Sequence, residues 1–106
     1  MKTKDLKQIS GSINSILSRL DSQDEVFDFL TDLLTAGEIV EFSRRFQVAQ
    51  MLENNVKYTE IEAKTGMSST TIARISKFLN SETGGYKNAI STLKSITDRH
   101  HTGHQI

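Results

Sequence analysis

Apolar residues recur every three or four positions along most of the chain, which is the repeat of amphipathic helices. The first such run alternates steps of three and four and consists of Leu6, Ile9, Ile13, Ile16 and Leu20. It is typical of a helix that meets another helix, either in a dimer arm or on the protein's own core. No stretch alternates apolar and polar residues long enough to predict a strand, and the chain has no proline. The pattern predicts an all-α protein.

Helix starts are marked by the capping-box spacing, in which a Ser or Thr and a Glu three residues later satisfy free N–H groups. The spacing occurs at Ser22 and Glu25, at Thr35 and Glu38, and at Thr59 and Glu62. Each pair predicts the start of a helix, although the third helix could begin a residue or two earlier.

The helix that follows Thr35 is expected to run to about Asn54, because Asn54 and Asn55 readily adopt the left-handed conformation that ends a helix. Its apolar surface is broad and comprises Ile39, Val40, Phe42, Phe46, Val48, Ala49, Met51 and Leu52. Such a surface exceeds what one small domain readily covers, whereas an intertwined dimer would cover it. Arg44 and Arg45 interrupt this surface, either as a solvated pair or as functional cations.

The segment from Thr59 to Asn80 has the pattern of two helices joined by a tight turn. A short helix is expected to end at Gly66, which easily adopts the left-handed conformation, and Ser68 can cap a second helix. The buried stripe of that second helix is expected to consist of Ile72, Ile75 and Leu79. The pattern is similar to a helix-turn-helix at about residues 58–80, although an ordinary helical hairpin has the same outline.

The polar positions of this segment suit contacts with double-stranded DNA. Short side chains at the start of the second helix would let it enter the major groove, and lysine and arginine would anchor phosphates. The residues expected to bind DNA are Thr59, Lys64, Ser68, Ser69, Thr70, Ala73, Arg74 and Lys77.

The last part of the chain predicts a turn, a helix and a tail. Residues 81–85, SETGG, are typical of a turn, and the apolar repeat of the following helix is Tyr86, Ile90, Leu93 and Ile96. Residues 99–106 are expected to form a disordered tail. Its histidines, His100, His101 and His104, lack nearby cysteine partners, so no metal site is expected.

The 106 residues suit one helical domain, expected over residues 1–98. The chain has no cysteine, which excludes disulfides and thiolate metal sites. No apolar run approaches a membrane span, and the start lacks the apolar core of a signal peptide. A cytoplasmic protein is therefore expected.

Charge and residue types indicate which classes of function are expected. The net charge is zero, which argues against a nucleic-acid binder without sequence preference. Residues 56–80 nevertheless carry four basic and two acidic side chains, whereas residues 1–34 carry four and six. Neither an enzyme nor a cofactor is expected, because histidine occurs only in the tail and no Gly-rich phosphate loop is present. The main alternative is a helix-turn-helix that binds proteins without binding specific DNA.

Three stretches carry a resemblance to the tryptophan repressor family over about residues 33–93: LLTAGE at residues 33–38, the pair Arg44 and Arg45, and YTEIEAKTGMSSTTIARISKFLN at residues 58–80. The continuation into GGYK at residues 84–87 resembles the YerC-like branch of that family. The resemblance implies an intertwined homodimer of about six helices per subunit, with one helix-turn-helix in each. It also implies a transcriptional regulator that binds DNA.

The resemblance also implies where a tryptophan corepressor would bind. The matching arginines are Arg45 and Arg74, and the matching threonines are Thr35 and Thr71. Where the family has a glycine beneath the indole and a serine at the ligand's ammonium, this chain has Ile75 and Phe78. Phe78 offers no hydrogen bond to an ammonium group. We expect a vestigial, filled pocket and no small-molecule effector.

Overall fold

The computed structural model describes the backbone of residues 1–104 and the side chains of residues 1–98. Over the described backbone the chain forms seven helices and no strand, which confirms the all-α prediction. The helices are α1 (Thr3–Ile9), α2 (Gly11–Leu17), α3 (Gln23–Leu33), α4 (Ala36–Glu53), α5 (Tyr58–Thr65), α6 (Ser69–Leu79) and α7 (Gly85–His104).

The number of helices exceeds six because the first apolar run breaks at Ser10. The Ser10 hydroxyl donates to the Leu6 carbonyl at 2.7 Å and accepts from the Asn14 side-chain amide at 2.9 Å. A serine bonded in this way competes with the helical backbone, and Gly11 directly after it lowers helix propensity by about 1 kcal/mol relative to alanine. The apolar repeat continues across the break, so the run forms two short helices.

Of the three predicted capping boxes, the one at Thr35 and Glu38 is confirmed and the one at Ser22 and Glu25 forms in part. The Glu25 N–H donates to the Ser22 hydroxyl at 3.1 Å, while the Glu25 carboxylate accepts from the Asp21 N–H at 3.3 Å. At the start of α4 the exchange is reciprocal, because the Glu38 N–H donates to the Thr35 hydroxyl at 3.1 Å and the Thr35 N–H donates to the Glu38 carboxylate at 2.9 Å. These bonds satisfy N–H groups that a helix start leaves free.

The third capping box does not form. Helix α5 begins at Tyr58 with Lys57 at its N-cap, and no side chain caps it. The start therefore lies one residue before Thr59. An extended Lys57, with φ of −68° and ψ of 147°, leads directly into the helix, which leaves Thr59 inside the first turn.

The prediction that Asn55 ends the central helix is confirmed. Asn55 has a φ of 61°. Its N–H donates to the Leu52 carbonyl at 3.0 Å, and the Val56 N–H donates to the Met51 carbonyl at 3.0 Å. These two bonds form a Schellman motif, which satisfies the last carbonyls of a helix.

The chain divides into two compact units, Met1–Ile39 and Val40–Ile106. The first unit, which contains α1 to α3, has no buried residue. The second has a core in which α4, α5 and α6 meet, formed by Val48, Ala49, Ile61, Ile72 and Ile75, with Tyr86 and Ile90 of α7 partly buried against it. Burying one isoleucine side chain contributes about 1.5–3 kcal/mol, so this cluster holds the helix-turn-helix segment to α4. The single domain expected over residues 1–98 stays a prediction.

Two further expectations concern the membrane and the tail. None of the described helices is both long and apolar enough to cross a membrane. The backbone of α7 is described to His104, but the side chains of residues 99–106 lie outside the described part of the chain. The prediction of a disordered tail without a metal site therefore stays a prediction.

Replacing Glu38 by glutamine should remove part of the pH dependence of stability. Hydrogen bonds from the Thr35 backbone N–H and then from the Thr35 hydroxyl hold the pKa of Glu38 below its usual value of 4.5. The unfolded state therefore binds this proton more tightly. The stabilisation is present above about pH 4.5 and is lost as the pH falls through the lowered pKa.

Thermal unfolding from about pH 7 to about pH 3 tests this prediction. Glu38→Gln should unfold at a lower temperature than wild type near neutral pH, and the two curves should converge in acid. Glu53→Gln, which removes one negative charge from an exposed position at the other end of α4, controls for the change in net charge. A constant gap between wild type and Glu38→Gln would contradict the assignment.

Candidate nucleic-acid interface

Helices α5 and α6 are joined by a tight turn centred on Gly66. Gly66 has a φ of 75°, and its N–H donates to the Glu62 carbonyl at 2.9 Å. Helix α6 then begins after Ser68, whose hydroxyl accepts from the Thr71 N–H at 3.2 Å. The predicted turn glycine and the predicted cap are both confirmed. The segment has the local geometry of a helix-turn-helix.

One face of α6 is buried, Thr71 and Ser76 are partly buried, and the remaining positions are exposed. Ile72, Ile75 and Leu79 have exposed fractions of 0%, 4% and 3%, which confirms the predicted stripe. The side chains predicted to bind DNA are all exposed: Thr59, Lys64, Ser68, Ser69, Thr70, Ala73, Arg74 and Lys77. The sequence and the structure therefore agree on which side chains of α5 and α6 a ligand can reach.

The start of α6 has free hydrogen-bond donors. The Ile72 N–H donates to the Ser68 carbonyl, and the Thr71 N–H is capped by the Ser68 hydroxyl. The N–H groups of Ser69 and Thr70 come before the first helical hydrogen bond, so they can donate to an anion. The Ser68 hydroxyl also lies 3.0 Å from the Thr71 hydroxyl, so it is already engaged within the helix.

Exposed basic side chains occur on both α5 and α6. Arg74 and Lys77 are exposed on α6, which carries no acidic residue in its first turn. On α5 the Lys64 ammonium lies 3.9 Å from the Glu60 carboxylate, and both side chains are more than half exposed. An exposed pair of this kind is worth about 0–1 kcal/mol, so Lys64 can exchange Glu60 for a phosphate at little cost.

A small cleft lies beside α6 within the second unit. Its volume is about 170 Å³, and it is lined by Arg45, Thr71, Arg74, Ile75, Phe78 and Tyr86. Five of these side chains are in the set predicted for a vestigial ligand pocket, so the structure brings that set together. The sixth predicted residue, Thr35, lies in the first unit and caps α4, and its place in a pocket stays a prediction.

The side chains of the cleft differ in how they occupy it. Ile75 is 4% exposed and belongs to the core cluster, whereas Phe78 is 57% exposed. The Arg45 guanidinium is partly neutralised by the Glu41 carboxylate, whose oxygen lies 3.4 Å from Nε. Aliphatic bulk therefore comes from Ile75, and Phe78 lies at the solvent side.

A larger hollow adjoins the cleft and shares two of its side chains. Its volume is about 470 Å³, and it is lined by Phe78, Ser81, Thr83, Gly85 and Tyr86. None of these described lining residues is charged.

The sequence did not predict that Tyr86 belongs to the cleft. Its spacing from Ile90 indicated only the apolar side of α7, and it does contact the core. The signal that could have identified it is the GGYK stretch at residues 84–87, which follows the helix-turn-helix directly in the sequence.

The described residues form seven helices, and α5 and α6 make a capped helix-turn-helix in which α6 is basic on its exposed side. These features define a helix-turn-helix protein of the all-α class. The family model for the Trp repressor protein matches residues 6–94. The uncharacterized protein YerC of Bacillus subtilis (strain 168) is 38% identical over 88 residues, which are 83% of this chain and 84% of that protein. The crystal structure of a TrpR-like protein from Eubacterium eligens superposes with a TM-score of 0.71 at 39% identity, covering 88% of this chain and 92% of that one.

The chain belongs to the Trp repressor family. The match begins at residue 6, whereas the resemblance seen in the sequence began at about residue 33. The family consists of regulators that are not enzymes, which confirms that part of the prediction.

Proposed function

We propose that this protein is a transcriptional regulator that binds specific DNA sequences as a homodimer through its helix-turn-helix, without tryptophan as corepressor. The observation that supports it best is that all the side chains expected to contact DNA are exposed, whereas Ile72, Ile75 and Leu79 of α6 are buried. Its location in the cytoplasm stays a prediction.

Binding would begin with the phosphates. The free N–H groups of Ser69 and Thr70 at the start of α6 would donate to one phosphate, favoured by the helix dipole. Lys64, Arg74 and Lys77 would contact others, which gives affinity for all sequences and a dependence on salt.

Sequence would be read by the short side chains. Ser69, Thr70 and Ala73 leave room for α6 to enter the major groove, where two hydroxyls and a methyl can meet base edges. Few long side chains are available for base contacts, so ordered water and DNA shape would supply much of the specificity.

A homodimer would cover apolar side chains that the single chain leaves in water. The first unit has no buried residue, and the exposed fractions of Leu6, Ile9 and Phe27 are 54%, 69% and 61%. In α4, Val40 and Phe42 are 47% and 41% exposed. Large exposed apolar surfaces mark interfaces, and a twofold dimer would place two helix-turn-helix units about 34 Å apart, one turn of DNA.

The cleft supports regulation without tryptophan. Its volume of about 170 Å³ is small, since pockets for ligands are typically about 300–1,000 Å³. Ile75 is buried where an indole would need space, and Phe78 provides no acceptor for an ammonium group. The adjoining hollow is larger, but none of its described lining residues is a cation that could bind the carboxylate.

A protein-interaction module is the second candidate. It is favoured by the zero net charge and by the uncharged hollow of about 470 Å³ next to the exposed Phe78. A module of this kind would not show the salt-dependent DNA binding that the first proposal requires.

Alanine substitutions in α6 should separate phosphate contacts from base contacts. Lys77→Ala should weaken binding to all duplexes. Because a homodimer loses one phosphate contact in each subunit, the slope of log K against log salt should fall in magnitude by about 1.8. Thr70→Ala should instead change the relative affinity for two sites by roughly tenfold. Gel-shift titrations at several salt concentrations, with a duplex selected from random DNA by wild type and an unrelated duplex, measure both effects.

The charge-matched control is Lys4→Ala in α1, which should leave the preference between the two duplexes unchanged. If wild type shows no salt-dependent binding to any duplex, the interaction module replaces the proposed function. If wild type binds but neither α6 variant differs from it, the assignment of this face is wrong.

Calorimetric titration tests the absence of a corepressor. We expect L-tryptophan to give no more heat than L-alanine, which shares the ammonium and carboxylate groups but lacks the indole. Saturable heat with a micromolar dissociation constant for tryptophan alone would show that the cleft still accepts an indole.

Sedimentation velocity tests the homodimer. Wild type should sediment with twice the chain mass of 11.9 kDa. Phe27→Glu replaces an exposed aromatic side chain of α3 with a charged one. It should shift the mass toward that of one chain, because burying an unpaired charge in the dimer interface is costly. Thr31→Glu adds the same charge at an exposed polar position of α3 and should remain a dimer. A single-chain mass for wild type would overturn the proposal.

A further inference from the structure

We infer that Thr65 is a positioning residue, because its hydroxyl fixes the start of α6 relative to α5. Thr65 would align α6, the helix that contacts DNA, so this role rests on the proposed function. Thr65 was not among the residues that the sequence singled out for a site.

Thr65 joins two backbone groups on either side of the turn. Its hydroxyl donates to the Ile61 carbonyl at 2.7 Å and accepts from the Met67 N–H at 3.2 Å. The Ile61 side chain is fully buried in the core cluster, so one end of this bridge is anchored. The other end is in the turn itself, one residue before the cap of α6.

The Thr65 hydroxyl provides an acceptor for the Met67 N–H, which has no partner within a helix. Met67 lies in the turn between Gly66 and Ser68, outside both α5 and α6, and its side chain packs against the core. Its N–H is therefore directed to the Thr65 hydroxyl instead of a helical carbonyl. A partly buried N–H without a partner is costly, so loss of this acceptor should let the turn rearrange toward water.

The bridge continues into the first turn of α6. Ser68 follows Met67 directly, and its hydroxyl accepts from the Thr71 N–H at 3.2 Å. Hydrogen bonds thus tie Ile61 to Met67 through Thr65, and the backbone then leads directly to Ser68 and its bond to the first turn of α6. A site must be held to about 0.5 Å to work well, so a shift of this turn would move the free N–H groups of Ser69 and Thr70 out of register.

The hydroxyl, and not the size of the side chain, is what the inference requires. Thr65→Val keeps the shape and removes the hydroxyl, whereas Thr65→Ser keeps the hydroxyl and removes a methyl. Thr92→Val is the matched control, because the Thr92 hydroxyl also donates to the carbonyl four residues earlier, that of Asn88 at 2.9 Å, from an exposed position in α7. The bond of Thr92 lies within α7 and does not connect a helix to a turn.

Two measurements on the full chain test the inference. The first is amide hydrogen exchange without DNA, in which Met67 and Thr71 should exchange about tenfold faster in Thr65→Val and at wild-type rates in Thr65→Ser and Thr92→Val. The second is the ratio of affinities for a duplex selected by wild type and for poly(dI-dC). That ratio should fall about tenfold, equivalent to about 1.4 kcal/mol, in Thr65→Val only.

The outcomes separate this inference from the proposed function. A general loss of stability would lower both affinities together, whereas misalignment lowers the ratio. Unchanged Met67 exchange in Thr65→Val, or equal effects of the Val and Ser variants, would overturn the inference. Failure of wild type to prefer any duplex would count against the proposed function, and the exchange rates would still decide whether Thr65 aligns α6.

Discussion

The structure depends on the burial of one face of α6. Ile72 and Ile75 form a single cluster with Ile61 of α5 and with Val48 and Ala49 of α4. Because side chains project at fixed angles around a helix, burying this face leaves the other positions in solvent. The exposure of the small and basic side chains of α6 is therefore a consequence of core packing. The same cluster makes α4, α5 and α6 one unit, so the helix-turn-helix has a rigid support.

The sequence predicts correctly several features that depend on residues close to one another in the chain. The left-handed residues Asn55 and Gly66 and the cap Ser68 act through groups only a few residues away, and their predictions are confirmed. The break at Ser10 was not predicted, because the apolar repeat continues across it and a side-chain hydrogen bond decides the outcome. The capping box at Thr59 does not form, because the helix begins at Tyr58 and Thr59 lies in its first turn.

The cleft shows where such prediction ends. The resemblance to the family identified Arg45 and Arg74, and the structure brings them to one cleft. Tyr86 could not be assigned to it, because its position depends on how α7 packs against the core. The exposure of Phe78 likewise depends on tertiary packing, so sequence alone could not decide whether Ile75 or Phe78 fills the space. The structure favours Ile75, which is buried, over Phe78, which is 57% exposed.

Arg74 belongs both to the cleft and to the set expected to contact DNA, and Thr71 links the cleft to the cap of α6 through the Ser68 hydroxyl. A ligand in such a cleft could reorient the start of α6 only if the empty state left it free to move. Here Ile75 is packed in the core, and Thr65 and Ser68 bond the turn on both sides. An already ordered helix gains little from a ligand, because a ligand shifts only an equilibrium between states that it binds differently. The proposed regulation without tryptophan therefore rests on two features of the fold, the packing of Ile75 in the core and the hydrogen-bonded turn.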